Sequence, residues 1–305
     1  MSKLIFTVGL PASGKTTLAK ELSQKYNAVI LSSDSIREEL YGDESVQGDS
    51  TKVFEVLHER AEKHLAEGTN VIYDATNINR KRRVHMIKNE LEADEYICYY
   101  MNITLGECFH NDSNRERRVG WTVLDRMYKT MQIPIKGEGW DELYIVNYHK
   151  PLNTYKKSLF EHTVLSGYDH VELFDDLSIV VEEFKDVFDL PHDSKYHTFS
   201  VSRHIYYTYK HVFENYKGNR RFEMLVAALF HDIGKAYCKS FYNRKGEETR
   251  TANFVAHENV SSQIAMNNLY QLGFDKATIN YVTTLVQLHM IPHELTDKKV
   301  KKLKE

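Results

Sequence analysis

Gly9-Leu10-Pro11-Ala12-Ser13-Gly14-Lys15-Thr16 fits the spacing G-x-x-x-x-G-K-[ST]. In such a loop successive backbone N–H groups face one anion, and the helix that follows adds the partial positive charge of its N-terminus. The pattern carries weight only between a strand and a helix. Leu4-Ile5-Phe6-Thr7-Val8 supplies an apolar strand before it, and Thr17-Leu18-Ala19-Lys20-Glu21-Leu22 supplies a helical pattern after it. A nucleoside triphosphate site on an α/β sheet is therefore expected. Gly9, Pro11, Ala12, Ser13, Gly14, Lys15, Thr16 and Thr17 would form its cradle. Lys15 reaches the β- and γ-phosphates, and the Thr16 hydroxyl ligates Mg²⁺.

The 305-residue chain is long enough for two domains. Its first half alternates apolar runs with helical patterns. Strands are expected over Leu4–Val8, Ala28–Leu31, Asn70–Tyr73, Glu95–Met101 and Leu143–Val146, with helices over Lys15–Tyr26, Asp34–Leu40, Thr51–Glu67 and Arg80–Leu91. That order argues for a parallel sheet with helices on both faces. The second half reads as helices over Val201–Tyr216, Arg221–Ala236, Glu258–Leu272 and Lys276–Leu288. The expected division is a P-loop domain over 1–148, a connector over 149–190 and an all-α domain over 191–305. Pro151, the Ser166-Gly167 turn and Leu190-Pro191 punctuate the connector.

Composition narrows the class. Hydrophobic content of 42% and charged content of 27% suit a folded globule. No apolar run reaches the length of a membrane span, and no leader precedes the first strand, so a cytoplasmic protein is expected. Three cysteines without a CxxC spacing fit a reducing compartment and exclude a cysteine zinc site. A net charge of −3 gives no general pull toward nucleic acid. The sequence leaves the oligomeric state open.

Three further segments of the first half carry chemistry. Asp34, in Ser32-Ser33-Asp34-Ser35-Ile36-Arg37, follows the second strand. A carboxylate there lies at the ligand-binding edge of an open α/β sheet. It is either a base for an attacking hydroxyl, with Arg37 holding a phosphate, or a plain helix N-cap. The third strand ends in Tyr73-Asp74-Ala75-Thr76-Asn77, where either Asp74 organises Mg²⁺ and Thr76 and Asn77 bind a phosphate or position an acceptor, or the segment is a strand-end turn of small polar residues. Asn111-Asp112-Ser113-Asn114-Arg115-Glu116-Arg117-Arg118 is either a lid that spreads transition-state charge or a solvated helix face. The run Arg80-Lys81-Arg82-Arg83 either tracks a phosphodiester backbone or is an exposed helix start.

Together these segments, with Val123–Lys129 and Trp140–Val146, resemble the phage polynucleotide 5′-kinase family over the first 148 residues. The resemblance implies ATP and Mg²⁺ as cofactors and RNA or DNA 5′-hydroxyl ends as substrate. It implies that Asp34 is the general base and that Arg37 contacts the acceptor-side phosphate. Thr76 and Asn77 would help hold the acceptor, and Arg115 and Arg118 would clamp the donor phosphates. Small-metabolite kinases share much of this pattern.

In the second half, Ala227-Ala228-Leu229-Phe230 leads into His231-Asp232-Ile233-Gly234-Lys235. Imidazole and carboxylate together suit a divalent metal, but one dipeptide cannot complete a coordination shell. His204, His257 and His289, each on another helical segment, are the candidate partners, whereas His197 and His293 read as structural or surface residues. This arrangement resembles the HD phosphohydrolase superfamily over 191–305, most closely the module found in tRNA nucleotidyltransferases and poly(A) polymerases. The resemblance implies that His204, His231 and Asp232 ligate a transition metal (Mn²⁺, Ni²⁺, Co²⁺ or Fe²⁺). Lys235 would sit near the scissile phosphate, and His257 and His289 would serve a second metal. The superfamily closes its shell with an aspartate on a later helix. Here Asp297 is a poor match, so either the chain stops short of that ligand or the module is incomplete.

The two resemblances together imply a nucleic-acid end-healing enzyme with kinase and phosphohydrolase parts. Two alternatives stay open: a metabolite kinase with a regulatory HD module, or a nucleotide-gated RNA-binding protein on an inactive HD scaffold.

Overall fold

The structure is a computed structural model that describes residues 1–43, 46, 48–148, 154–194, 198–243 and 245–291. It divides into two compact units, Met1–Tyr148 and His149–Glu305.

The first unit is a parallel sheet of β1 (Lys3–Val8), β2 (Ala28–Ser32), β3 (Asn70–Asp74), β4 (Glu95–Met101) and β5 (Glu142–Val146), in the order β2-β3-β1-β4-β5. A parallel sheet covered on both faces needs strands that are apolar throughout, and five of the six residues of β1 are buried. Helices α1 (Lys15–Tyr26), α2 (Ser33–Tyr41), α3 (Ser50–Ala66), α4 (Arg80–His85), α5 (Leu105–Ser113) and α6 (Trp121–Thr130) fill the connections. Ile5, Ile72 and Ile97 from the sheet pack on Ala19 and Leu22 of α1. Register does the functional work. Asp74 pairs with Thr7 on one side and with Ser32 on the other. The phosphate loop, the start of α2 and the end of β3 therefore share one sheet edge.

The helix expected over Arg80–Leu91 changes character midway: α4 gives way to a π turn over Met86–Glu90. Its basic run is not simply an exposed face. Arg83 is fully buried and grips Glu138 through two hydrogen bonds of 2.7 Å, while its Nη1 donates to the Asn77 carbonyl at 2.8 Å. Arg82 lies 3.8 Å from the Phe54 ring centre.

The second unit contains α7 (Thr154–Ser166), α8 (His170–Val180), α9 (Glu183–Val187), α10 (Val201–Asn215), α11 (Arg221–Phe230), α12 (Lys235–Cys238), α13 (His257–Gln271) and α14 (Lys276–Leu288). The segment expected as a connector thus carries three helices. Phe160 of α7 and Phe184 of α9 are buried against Phe230 of α11, so these helices are part of the second unit's core. The all-helical expectation also missed an antiparallel hairpin, β6 (Ser240–Tyr242) with β7 (Glu248–Asn253). His197, His293, Asp297 and Pro151 lie outside the described residues. Among the described residues, no helix is long and apolar enough to cross a membrane.

The single helix expected over Arg221–Ala236 is broken. It stops at Phe230 and restarts at Lys235, with tight bonds from Ile233 N to Phe230 O (3.2 Å) and from Lys235 N to Asp232 O (3.0 Å). Gly234 lets this turn press on α13. A Cβ there would sit 2.5 Å from the His257 carbonyl oxygen and 2.6 Å from the Ser261 amide nitrogen. Both are backbone atoms and cannot swing aside. Gly234→Ala is therefore expected to destabilise the second unit by about 1–3 kcal/mol, read as a lower urea midpoint at unchanged slope.

Candidate functional site

The first candidate site lies at the shared sheet edge. Ala12 and Gly14 both take positive φ, 59° and 87°, which turns the loop back on itself ahead of α1. A side chain at Gly9 would meet Met101 and the Ser13 hydroxyl, each at 2.9 Å. The Ser13 hydroxyl is buried and has no partner among the described residues. Buried hydroxyls are normally satisfied, so this orphan at the centre of an anion cradle fits a bound phosphate. Lys15 spans the loop, its Nζ donating to the Leu10 carbonyl at 2.6 Å. Burial lowers its pKa, and the Asp74 carboxylate offsets part of that.

Asp74 accepts from the Thr7 hydroxyl at 2.7 Å, and its other oxygen is 3.4 Å from the Thr16 hydroxyl. A hydroxyl and a carboxylate this close are hard oxygen donors of the kind that suit Mg²⁺. Asp34 sits in the first turn of α2. The N-cap is Ser32, whose hydroxyl accepts from the Asp34 amide at 3.3 Å, so Asp34 is not the plain cap. Its carboxylate instead holds Arg37 at 2.6 Å, with Arg117 Nη1 3.8 Å from the other oxygen.

Two expected placements differ. Asn77 takes positive φ (49°) and its amide donates to Thr7 O (2.8 Å) and Tyr73 O (3.3 Å). Its donors therefore hold strand ends rather than face an acceptor. Thr76 is half-buried, and its carbonyl accepts from Gly9 N at 3.1 Å. In the arginine loop, Arg115 and Arg118 are exposed, with Arg118 Nε donating to the Arg115 carbonyl at 3.3 Å. Arg117 is the one that turns in toward Asp34. The loop is anchored by buried Asp112, which accepts from the Val119 and Gly120 amides. Asn111 ties the same segment to the phosphate loop through the Ala12 carbonyl at 3.2 Å.

The second candidate site lies in the other unit. His204 comes from α10, His231 and Asp232 from the turn after α11, His257 from the first residue of α13, and His289 from the end of α14. Their ligand atoms form two groups, His204-His231-Asp232 and Asp232-His257-His289, with the atoms of each within 4.8 Å of one another. Asp232 belongs to both. Its Oδ2 is 3.2 Å from His204 Nε2 and 3.3 Å from His231 Nε2, while Oδ1 is 3.0 Å from His257 Nε2 and 3.7 Å from His289 Nε2.

The imidazoles are oriented from behind. Nδ1 of His231, His257 and His289 lies 2.8, 2.8 and 2.6 Å from the carbonyls of Ala228, Phe254 and Val286. A carbonyl only accepts, so each Nδ1 carries the proton and each Nε2 presents a lone pair. Two such nitrogens face each other at 3.2 Å in His257 and His289, and His204 Nε2 lies 3.3 Å from that of His231. Paired acceptors repel unless a cation or proton lies between them, so the donor set fits a divalent transition metal. Burial opposes a charge on His231, but Asp232 outweighs it and the net shift is upward. Burial also opposes charge on Asp232, yet the imidazoles hold its carboxyl well below its ordinary range.

Lys235 is buried and donates to Asp232 at 2.7 Å. Its ammonium is also 3.2 Å from Nε2 of His192, a buried residue that the sequence reading passed over.

A parallel sheet with a phosphate loop at its edge and a helical unit closing on a His/Asp cluster define a kinase-like P-loop fold joined to a metal-type helical fold. The family models agree. Residues 4–134 match the AAA domain model, and residues 195–305 match the HD domain model. The chain joins a kinase-like P-loop domain to an HD domain. No curated protein matches it. Among solved structures it is similar to a chain of the Pnkp1/Rnl/Hen1 RNA repair complex, at 20% identity over 42% of this chain and 43% of that one, with a TM-score of 0.38. The chain thus spans less than half of that relative. It is also similar to a gluconokinase from Sinorhizobium meliloti 1021 (16% identity, 49% and 84% covered, TM-score 0.35). A fungal RNA kinase matches at 12% identity, with 75% and 97% covered and a TM-score of 0.35.

Proposed function

We propose that the chain heals nucleic-acid ends. Its first unit would transfer the γ-phosphate of ATP to a 5′-hydroxyl. Its second would remove a 3′-phosphate or open a 2′,3′-cyclic phosphate. The observation that carries the kinase half is the placement of Asp34: off the N-cap, at the edge shared with the phosphate loop, and paired with Arg37. In this reading Asp34 takes the proton of the attacking hydroxyl and Arg37 holds the adjacent phosphate. Lys15 and the Ser13 hydroxyl bind the transferring phosphates. Thr16 and Asp74 would hold Mg²⁺, which when bound supplies positive charge to the transferring phosphates. Arg117 joins Arg115 and Arg118 as a source of positive charge over the site.

In the second unit, His204, His231, Asp232, His257 and His289 would hold the metal, which when bound supplies an activated water. Lys235 fixes the bridging carboxylate and neutralises it toward an incoming phosphate.

Two assays on the full chain test this. With γ-labelled ATP and Mg²⁺, label should pass to a 5′-hydroxyl oligonucleotide. Transfer to a nucleoside or small alcohol instead would favour the metabolite-kinase reading. With Mn²⁺ or Ni²⁺, a 3′-phosphorylated strand should release phosphate. A metal-free preparation that binds RNA without either turnover would support the scaffold reading.

A further inference from the structure

Beside the His/Asp cluster the second unit holds an open cleft of about 770 Å³, within the roughly 300–1,000 Å³ of ligand sites. His192, Phe199, Phe241, Arg250 and Thr251 are among the residues that line it.

Three features of the lining point to one kind of ligand. Phe199 and Phe241, 49% and 39% exposed, present two aromatic faces to the same cleft. Phe199 is braced from behind by Tyr207, with ring centres 4.9 Å apart. Arg250, on β7, is exposed and has no ion-pair or hydrogen-bond partner among the described residues. Two carboxylates also line the cleft: Asp193 is paired with Lys239 at 2.6 Å, and Asp189 accepts from the Ser200 hydroxyl at 3.4 Å. Finally, His192 lines the cleft and is linked to the cluster through Lys235. Its Nδ1 donates to the Phe199 carbonyl at 2.7 Å, so its Nε2 accepts from Lys235, which in turn holds Asp232. One ammonium separates the cleft wall from the bridging carboxylate.

We infer that this cleft seats the nucleotide next to the 3′-terminal phosphate of a single strand, its base stacked on Phe199 or Phe241 and its phosphodiester paired with Arg250. The inference rests on the phosphohydrolase reading above and names its substrate. Aromatic faces bind any base by stacking, and a planar guanidinium pairs with phosphate through two parallel bonds. One guanidinium matches the single charge of a phosphodiester; a free di- or triphosphate would call for more cations than the lining offers. His192 ties the backbone that carries Phe199 to Lys235, so base and scissile phosphate would be held in one register.

The test uses the full chain and a short single-stranded RNA, 5′-phosphorylated so that it is no kinase acceptor, with 4-thiouridine as its last nucleotide, carrying the 3′-phosphate. Photocrosslinks are expected at Phe199 or Phe241. Phe199→Ala and Arg250→Ala should each weaken binding roughly tenfold by fluorescence anisotropy. Crosslinks confined to other residues, or both variants binding within about twofold of the parent, overturn the inference. So does equal displacement by a mononucleotide, which would make the cleft a free-nucleotide site. Phosphate release from the same RNA is measured alongside. Crosslinking at these rings without release removes the hydrolase reading and leaves the cleft standing; release without it removes the cleft alone.

Discussion

Asp34→Asn is expected to slow phosphate transfer to a 5′-hydroxyl by roughly 10²–10⁴-fold, the range for loss of a positioned general base, while ATP binding persists. The substitution is nearly isosteric and leaves the fold little to lose. The α2 N-cap is Ser32, and the amide oxygen of Asn can still accept from Arg37, which the carboxylate holds at 2.6 Å. What disappears is the ability to take a proton. A merely structural Asp34, lending negative charge to the first turn of a helix, would be worth about 0.3–1 kcal/mol and would show in the melting temperature rather than in turnover. The measurement is kcat at saturating ATP, with nucleotide affinity by equilibrium dialysis. A variant that phosphorylates at close to the parental rate would remove Asp34 from the chemistry. Arg37→Ala should act differently, raising KM for the oligonucleotide more than it lowers kcat.

The elements that the sequence revealed are those governed by local chemistry. The phosphate loop is specified by glycines that must take positive φ and by the strand before it, so Lys15 and Thr16 were legible without coordinates. The same holds for His231-Asp232, where an apolar helix runs into a metal-type dipeptide. What the sequence hid depends on long-range pairing. Arg83 looked like part of a solvated basic run because its partner, Glu138, lies 55 positions away. Among four consecutive polar residues, nothing local marks Arg117 rather than Arg115 as the arginine that turns toward Asp34, since the segment is a loop with no helical phase to read. Asn77 carried a plausible donor, but its left-handed backbone and its bonds to Thr7 and Tyr73 appear only once β1 and β3 are paired. His192 follows Pro191, which read as punctuation at a boundary. Nothing local marks helices α7 to α9 as core, because their burying surface, Phe230, comes later in the chain.

Asp232→Asn is expected to strip the second unit of transition metal and, with it, of phosphate release. One carboxylate serves both halves of the cluster: one oxygen toward His204, His231 and Lys235, the other toward His257 and His289. An amide keeps the volume but presents an N–H₂ group to one of the two sets, where it donates instead of coordinating, and it removes the charge that offsets a divalent cation. Losing any one histidine should leave the opposite group of three ligands intact, so His257→Ala should retain more metal than Asp232→Asn. Weakening of ten- to a hundredfold is typical even for residues that only support a ligand, and loss of the shared ligand should exceed it. Elemental analysis of the purified chain after dialysis against Mn²⁺ or Ni²⁺ reads the first effect. Phosphate release from a 3′-phosphorylated strand reads the second, and 5′-phosphorylation by the same preparation shows that the chain is folded. Metal content equal to the parent in Asp232→Asn would mean that the imidazoles alone hold the ion, and that the carboxylate bridging the two groups is there to anchor Lys235.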